Sequence, residues 1–157
     1  MPIVRDENKR KEIVQLLTSA YWMEIETVMS YIANSVNLEG VRAEEIKESL
    51  SADITEELGH AQKFAQRIKV LYGRVPGSMA FKPEQSYLQP PAENTDVASV
   101  IRGVIQAEQG AIDHYMKLIT ACSDADPVTA DMVTTILADE EQHLRTFEGF
   151  LMEYEKK

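Results

Sequence analysis

The sequence predicts an all-α fold, a four-helix bundle with one long crossover between helices 2 and 3. Four long segments contain no internal proline, and apolar residues recur in each of them with the period of an α-helix. Two of the three connections between these segments are short, whereas the middle one spans about 22 residues. The chain has 157 residues, of which 44% are hydrophobic, and this suits the core of one domain over residues 1–157.

The first helix is predicted from Asp6 to Val36, a stretch with neither glycine nor proline. Its apolar residues are spaced so that they share one face of the helix: Ile13, Leu16, Leu17, Ala20, Tyr21, Ile25, Val28 and Ile32. The sequence Asn37-Leu38-Glu39-Gly40 then indicates a helix end followed by a tight turn.

The second helix is predicted from about Val41 to Tyr72, where Gly73 caps it and Pro76-Gly77 prevents its continuation. The following segment, to Asn94, contains four prolines and is therefore neither a helix nor a central strand. At about 3.3 Å per residue this segment is long enough to run the whole length of the bundle.

The third helix is predicted to start near Thr95-Asp96, and the fourth at Asp126-Pro127. Aspartate followed by proline suits the cap and the first position of a helix. The fourth helix continues to the end of the chain. The short connections make helices 1 and 2, and likewise helices 3 and 4, antiparallel hairpins.

The charge of the chain excludes some classes of partner. Sixteen basic and 26 acidic side chains give a net charge of -10 and a pI near 4.8. Nucleic acids and anionic membranes both attract basic surfaces, so we expect neither as a partner. Cys122 is the single cysteine, and the sequence has no apolar run of about 20 residues and no signal-peptide core. We therefore expect a cytoplasmic protein.

Two of the three histidines follow a glutamate by three positions. Glu57 precedes His60 on helix 2, and Glu140 precedes His143 on helix 4. This spacing places both side chains of a pair on one helix face, where they can share a ligand. The third histidine, His114, is predicted to lie at the surface or an interface, away from these pairs.

Each of the other two helices carries a glutamate at the matching level. Glu24 lies midway along helix 1 and Glu108 midway along helix 3, and both have apolar neighbours at helical spacing. Because glutamate is rarely buried without a partner, four inward-facing carboxylates indicate a cluster that two divalent cations neutralise. Carboxylate oxygens with one imidazole per metal suit iron or manganese.

This pattern resembles that of the ferritin-like superfamily, and most closely the di-iron site of bacterioferritins. The resemblance implies that Glu57 and Glu140 bridge two iron ions, with manganese as a possible replacement. The terminal ligands would then form two pairs, one for each metal: Glu24 with His60, and Glu108 with His143. Glu56 and Asp139 directly precede the bridging glutamates, and they either relay iron inward or are ordinary surface acids.

Two tyrosines repeat the spacing of the site. Tyr31 stands seven residues after Glu24, and Tyr115 stands seven residues after Glu108. The resemblance implies that Tyr31 lies beside the metals. The two phenols either hydrogen-bond the bridging carboxylates or supply an electron, or both tyrosines are simply core residues of the bundle.

Two departures from the bacterioferritin pattern bear on haem and assembly. Bacterioferritins bind haem through a methionine at the position that Leu58 holds, so no haem is expected. The chain ends 14 residues after His143, which leaves no length for the fifth helix of 24-subunit shells. We expect a homo-oligomer, either a 12-subunit cage like that of the Dps-like mini-ferritins or a dimer.

The resemblance implies a ferroxidase that oxidises Fe²⁺ with O₂ or H₂O₂, for iron storage or for protection against oxidative stress. One alternative with the same ligands is a non-storage di-iron or di-manganese oxidase or oxygenase, or a manganese catalase. Another is a non-enzymatic, metal-binding ferritin-like module.

Overall fold

The computed structural model describes residues 3–155, and its long elements are four α-helices. Helix α1 spans Glu7–Asn37, α2 spans Glu44–Val70, α3 spans Val97–Cys122 and α4 spans Pro127–Glu155. The pairs α1–α2 and α3–α4 pack as hairpins, and α1 also packs against α3. No strand occurs within the described range. The predicted all-α four-helix bundle with a long crossover is confirmed.

Aspartate side chains cap the starts of three helices. Asp6, Asp96 and Asp126 each accept a hydrogen bond of 3.0–3.1 Å from the backbone N–H three residues further on. Such a cap satisfies one of the N–H groups that the first turn of a helix leaves free. Helices α3 and α4 therefore start where the sequence predicts.

Helix α2 is shorter at both ends than the sequence predicts. Residues 41–43 form a turn after Gly40, whose φ is +101°, so the helix begins at Glu44. At the other end Tyr72 takes the left-handed conformation, with φ of 65°, and the helix stops at Val70. Gly73 is needed there for space, because a Cβ on it would lie 2.7 Å from Cγ1 of Val14.

The apolar core consists of two clusters, one towards each end of the bundle. The first includes Leu17, Phe64, Ile68, Leu118 and Ile136. The second includes Leu50, Ile101, Val104 and Phe147. On every helix the glutamate singled out by the sequence lies between the residues of these two clusters. The layer at mid-height is therefore polar and enclosed by apolar residues above and below it.

The crossover between α2 and α3 contains two single-turn 3₁₀ helices, Ser78–Ala80 and Ser86–Leu88, and it lies against α1 and α3. The buried carboxylate of Glu26 on α1 accepts hydrogen bonds of 2.8 Å from the backbone N–H groups of Glu84 and Gln85. These two bonds fix the middle of the crossover to α1.

The outer face of α1 departs from the predicted apolar face. Ile32, which the periodicity places in the core, is 47% exposed, and it lies near the exposed Met29 and Val36. The helix carries more apolar residues than the interior of one bundle covers. None of the helices between residues 3 and 155 has the length and apolar character of a membrane span.

Candidate metal centre

Six side chains from all four helices meet in the polar layer. Each is between 1% and 7% exposed, and they are the six ligands that the sequence predicts: Glu24, Glu57, His60, Glu108, Glu140 and His143. Glutamate and histidine are rarely buried in such numbers without a partner that compensates for the lost hydration. The helices supply them at one level because each glutamate lies near the middle of its helix.

The six residues form two overlapping groups of four, and within each group the potential ligand atoms lie within 4.8 Å of one another. Both groups contain Glu57 and Glu140. The first group adds Glu24 and His60, and the second adds Glu108 and His143. This is the division into terminal pairs and shared carboxylates that the sequence predicts, and it has the geometry of two adjacent cation sites.

Both imidazole rings turn Nδ1 towards the shared carboxylates. His60 Nδ1 lies 3.0 Å from Oε1 of Glu140 and 3.5 Å from Oε2 of Glu57. His143 Nδ1 lies 3.0 Å from Oε1 of Glu57. It also lies 3.6 Å from Oε2 of Glu140 and 3.6 Å from Oε1 of Glu108. Each ring therefore contacts both shared glutamates.

The hydrogen bonding of the cluster leaves donor atoms available for metal ions. Each of the six side chains has one buried atom that makes no well-aligned hydrogen bond, although both Nδ1 atoms lie at ion-pair distance from glutamate oxygens: Oε2 of Glu24 and Glu108, Oε1 of Glu57 and Glu140, and Nδ1 of His60 and His143. Only one further buried side-chain atom in the described residues, Oδ1 of Asn34, shares this property. Orphaned buried polar atoms are rare and costly, so six of them converging on one place fit a pair of divalent cations.

The pKa values describe how the cluster carries its charge without metal. Burial and the adjacent Glu140 raise the pKa of Glu108 to about 8, although His143 and Tyr31 act to lower it. Burial lowers the pKa of His60, but Glu140 and Glu57 more than offset this and bring it to about 10. The pKa of His143 is also raised, since Glu108, Glu140 and Glu57 outweigh the effect of burial. Without metal, the two charged imidazolium rings therefore offset part of the negative charge of the carboxylates.

Carboxylates on the α2 and α4 side hold the outer nitrogens of both rings. His60 Nε2 is 2.8 Å from Asp139, and His143 Nε2 is 2.8 Å from Glu56 and 3.3 Å from Asp53. We call Asp53, Glu56 and Asp139 the outer carboxylates. A carboxylate that accepts a hydrogen bond from Nε2–H keeps that proton on Nε2, so that Nδ1, once it loses its own proton, offers a lone pair to the cluster. The sequence left two roles open for Glu56 and Asp139, relay of iron or ordinary surface acids. The contacts support a different role, the positioning of the histidines.

Each tyrosine binds a glutamate across the α1–α3 contact. The Tyr31 hydroxyl donates a hydrogen bond of 2.7 Å to Oε1 of Glu108, and the Tyr115 hydroxyl donates one to Oε1 of Glu24. Both phenols therefore hydrogen-bond the terminal carboxylates, whereas the sequence suggested the bridging ones. Burial, together with the nearby carboxylates, raises the pKa of both tyrosines well above its usual value, so both remain protonated donors.

Three further residues near the centre escaped sequence analysis. Asp53 lies four residues before Glu57 and so shares its helix face, and this spacing is a signal from which it could have been found. Thr27 and Gln85 lie beside the cluster on α1 and on the crossover, and no local pattern marks them. His114 lies outside the centre, as predicted, because its Nε2 is 2.8 Å from the carbonyl oxygen of Leu16.

Fold and site together define a four-helix-bundle protein with a buried carboxylate and imidazole cluster that fits a di-metal centre. The family model of the ferritin-like domain matches residues 14–156. The chain belongs to the ferritin-like family.

Three relatives illustrate the range of this similarity. A bacterioferritin of Desulfovibrio desulfuricans is 24% identical over 144 residues, which cover 91% of this chain and 76% of that protein. A DNA protection during starvation protein of Pyrococcus furiosus is 26% identical over 146 residues, which cover 90% of this chain and 77% of that protein. The solved structure of a dodecameric thioferritin, a bacterioferritin-related protein of Bacteroides fragilis, has a TM-score of 0.80 at 24% identity. That match covers 92% of this chain and 87% of the other.

Proposed function

We propose that the chain is a ferroxidase that binds Fe²⁺ as a pair and oxidises it with O₂ or H₂O₂, for iron storage or for protection against oxidative stress. The observation that carries this proposal is the convergence of six buried donor atoms that make no well-aligned hydrogen bond. Two ferrous ions held together supply the two electrons that reduce O₂ to H₂O₂, or H₂O₂ to water, with two protons. Manganese has similar ligand preferences and is the alternative metal.

The residues of the chain divide the work of holding this pair. The carboxylates of Glu57 and Glu140 would be shared between the two ions, and Glu24 and Glu108 would each hold one of them. The histidines bind through Nδ1, because their Nε2 atoms are engaged by the outer carboxylates. Apolar residues above and below the layer keep bulk water away from the centre, which strengthens the binding of charge there.

The phenols of Tyr31 and Tyr115 act as positioning groups. Each hydroxyl donates to one oxygen of a terminal carboxylate and leaves the other oxygen of that group unpaired. Each of these bonds fixes the orientation of its carboxylate within the cluster. Held in this way, Glu24 and Glu108 bind with little loss of side-chain entropy.

We also propose that the protein is a homo-oligomer, either a 12-subunit cage or a dimer. From Ile13 to Leu38, α1 has only two charged residues, Glu24 and Glu26, and both are buried. The outer face of this long stretch is therefore uncharged on a chain with a net charge of -10. Two copies of so acidic a chain approach most easily where neither is charged. The dodecameric assembly of the Bacteroides fragilis relative supports the same proposal.

The assembly mass separates the two states. Twelve chains of 17.7 kDa make about 210 kDa, and two make about 35 kDa. A mass near 210 kDa supports a cage and therefore storage, and a dimer excludes storage in an interior. We further propose that the chain forms one ferritin-like domain and acts in the cytoplasm, which is consistent with its single, buried, free Cys122.

Ferrous titration tests the proposed activity. Metal-free protein receives up to two Fe²⁺ per chain without oxygen, and O₂ or H₂O₂ is then added while ferric absorbance is recorded. Oxidation well above the buffer blank, lost in Glu57→Ala and kept in Glu141→Ala, is the expected result. Glu141 is the matched control because it is exposed and directly follows Glu140. Oxidation no faster than the blank would contradict the proposal.

A further inference from the structure

A narrow inner space lies against the carboxylates, on the side away from the histidines. All four glutamates of the centre line it, together with Ala107 and Ala111 of α3, Met23 and Thr27 of α1, and Gln85 of the crossover. Neither His60 nor His143 is among its lining residues. No water-sized sphere fits in this space as the side chains stand. Positions on the metals that no protein ligand occupies would therefore face a small space, whose lining apart from the four glutamates is uncharged.

A large surface cleft lies directly outside this inner space. The cleft has a volume of about 790 Å³ and runs between α1, α3 and the crossover. Met23 and Gln85 line both the cleft and the inner space, so these two side chains form the wall between them. Gln85 is only 5% exposed although it belongs to a surface segment.

The contacts of Gln85 separate a fixed backbone from a weakly held side chain. Its backbone N–H is anchored 2.8 Å from the buried carboxylate of Glu26. Its side-chain amide has one partner among the described residues, the hydroxyl of Thr27, with Nε2 3.0 Å from Oγ1. Rotation of the side chain therefore breaks hydrogen bonds to one hydroxyl only and keeps the backbone bond to Glu26.

We propose that Gln85, held by Thr27, is a barrier through which a small uncharged oxidant passes from the surface cleft to the metal centre. This inference rests on the proposed function for the identity of the oxidant, O₂ or H₂O₂. The small side chains of Ala107 and Ala111 line the space beside the carboxylates, so displacement of the Gln85 side chain would open room there for a small molecule. The carboxylates that line the space repel anions, whereas O₂ and H₂O₂ carry no charge. Gln85 thus determines the size of what reaches the centre.

The test places a thiol behind the barrier in the metal-free, full-length protein. Ala111→Cys, combined with Cys122→Ala, is treated with methyl methanethiosulfonate, which transfers a CH₃S group to the thiolate with loss of methanesulfinate. Adding Gln85→Ala removes the barrier side chain and keeps the backbone bond to Glu26. We expect the labelling rate of the new thiol to rise at least tenfold.

Two variants and one native thiol serve as controls. Thr27→Val removes the hydroxyl that holds Gln85 and is expected to raise the rate as well. Ser86→Ala changes the exposed neighbour of Gln85 that begins the 3₁₀ helix Ser86–Leu88, and it is expected to leave the rate unchanged. Cys122 is fully buried and lies far along α3 from the barrier. Its labelling is measured in chains with native Ala111 and Cys122, with and without Gln85→Ala, and it reports general loosening of the bundle.

The outcomes separate the barrier from the proposed activity. Faster labelling at position 111 in Gln85→Ala, with the rate at Cys122 unchanged, supports the barrier. An unchanged rate at position 111, or an equal rise at both thiols, overturns it. The labelling needs no metal and is therefore independent of ferrous oxidation. If labelling depends on Gln85 but the protein does not oxidise Fe²⁺, the barrier to small molecules stands and its role for an oxidant is refuted. Oxidation with no effect of Gln85 on labelling would refute the barrier alone.

Discussion

The hydroxyl of Tyr31 on α1 donates a hydrogen bond of 2.7 Å to Oε1 of Glu108 on α3. Both residues are fully buried or nearly so, and they come from different hairpins. Tyr115 and Glu24 repeat the same relationship in the opposite direction. Each hairpin therefore orients a terminal carboxylate of the other, and the two halves of the centre depend on the contact between α1 and α3.

The Tyr31→Phe variant tests this dependence. Loss of the phenol leaves Glu108 without its donor in a buried place, so we expect the metal-free protein to lose about 1.5–3 kcal/mol of unfolding free energy. Urea denaturation followed by circular dichroism measures the change. Tyr21→Phe, at a half-buried tyrosine outside the cluster, is the control and should cost little. Equal losses in both variants would mean that the bond to Glu108 contributes nothing specific.

The Asp139→Asn variant tests the positioning of His60 by an outer carboxylate. Removing the charge that faces Nε2 weakens the hold on the ring, and we expect Co²⁺ affinity to fall about 10–100-fold while two ions per chain still bind. Competition with a coloured chelator gives the affinity. Glu141→Gln changes an exposed acid on the same helix and should leave the affinity unaltered. An Asp139→Asn protein with wild-type affinity would remove the positioning role.

Asp126 joins the cap of α4 to a buried ion pair. It lies 2.7 Å from the guanidinium of Arg67 on α2, and Arg67 also bonds the Thr129 hydroxyl. Asp126→Ala leaves Arg67 buried without its counter-ion and should cost about 3–5 kcal/mol. Asp96→Ala removes an exposed cap of the same kind and should cost about 1 kcal/mol. Chemical denaturation compares the two, and similar losses would show that the Arg67 pair adds nothing to the cap.

Gly103 on α3 is predicted to be a required glycine. A Cβ there would lie 2.6 Å from the carbonyl oxygen of Tyr87, a backbone atom of the crossover. Gly103→Ala must displace this segment and should destabilise the protein by about 1–3 kcal/mol. Gly59 on α2 has nothing within 4 Å of the added carbon, so Gly59→Ala should gain about 1 kcal/mol. Thermal unfolding checks the opposite signs, and destabilisation of equal size in both variants would contradict the close approach at Gly103.

The helices and the convergence of the six candidate ligands were predictable because local patterns encode them. The spacing of Glu57 and His60 determines a helix face, and helix length determines the level of Glu24. The partners of these groups depend on contacts between elements distant in sequence, such as Asp139 with His60. Gln85 could not be placed either, since the path of a proline-containing crossover follows from bonds such as those to Glu26. The exposure of Ile32 shows a further limit, because periodicity does not reveal whether an apolar face meets the core or another surface.

The number of metal ions bound per chain tests the central claim most directly. Purified protein is dialysed against Fe²⁺ without oxygen, or against Co²⁺ as a redox-stable substitute, and metal and protein are then quantified together. The account predicts two ions per chain in the unaltered protein and in Glu141→Ala, and loss of the pair in Glu57→Ala and Glu140→Ala. Fewer than two ions in the unaltered protein, or two ions retained when either shared glutamate is removed, would contradict it.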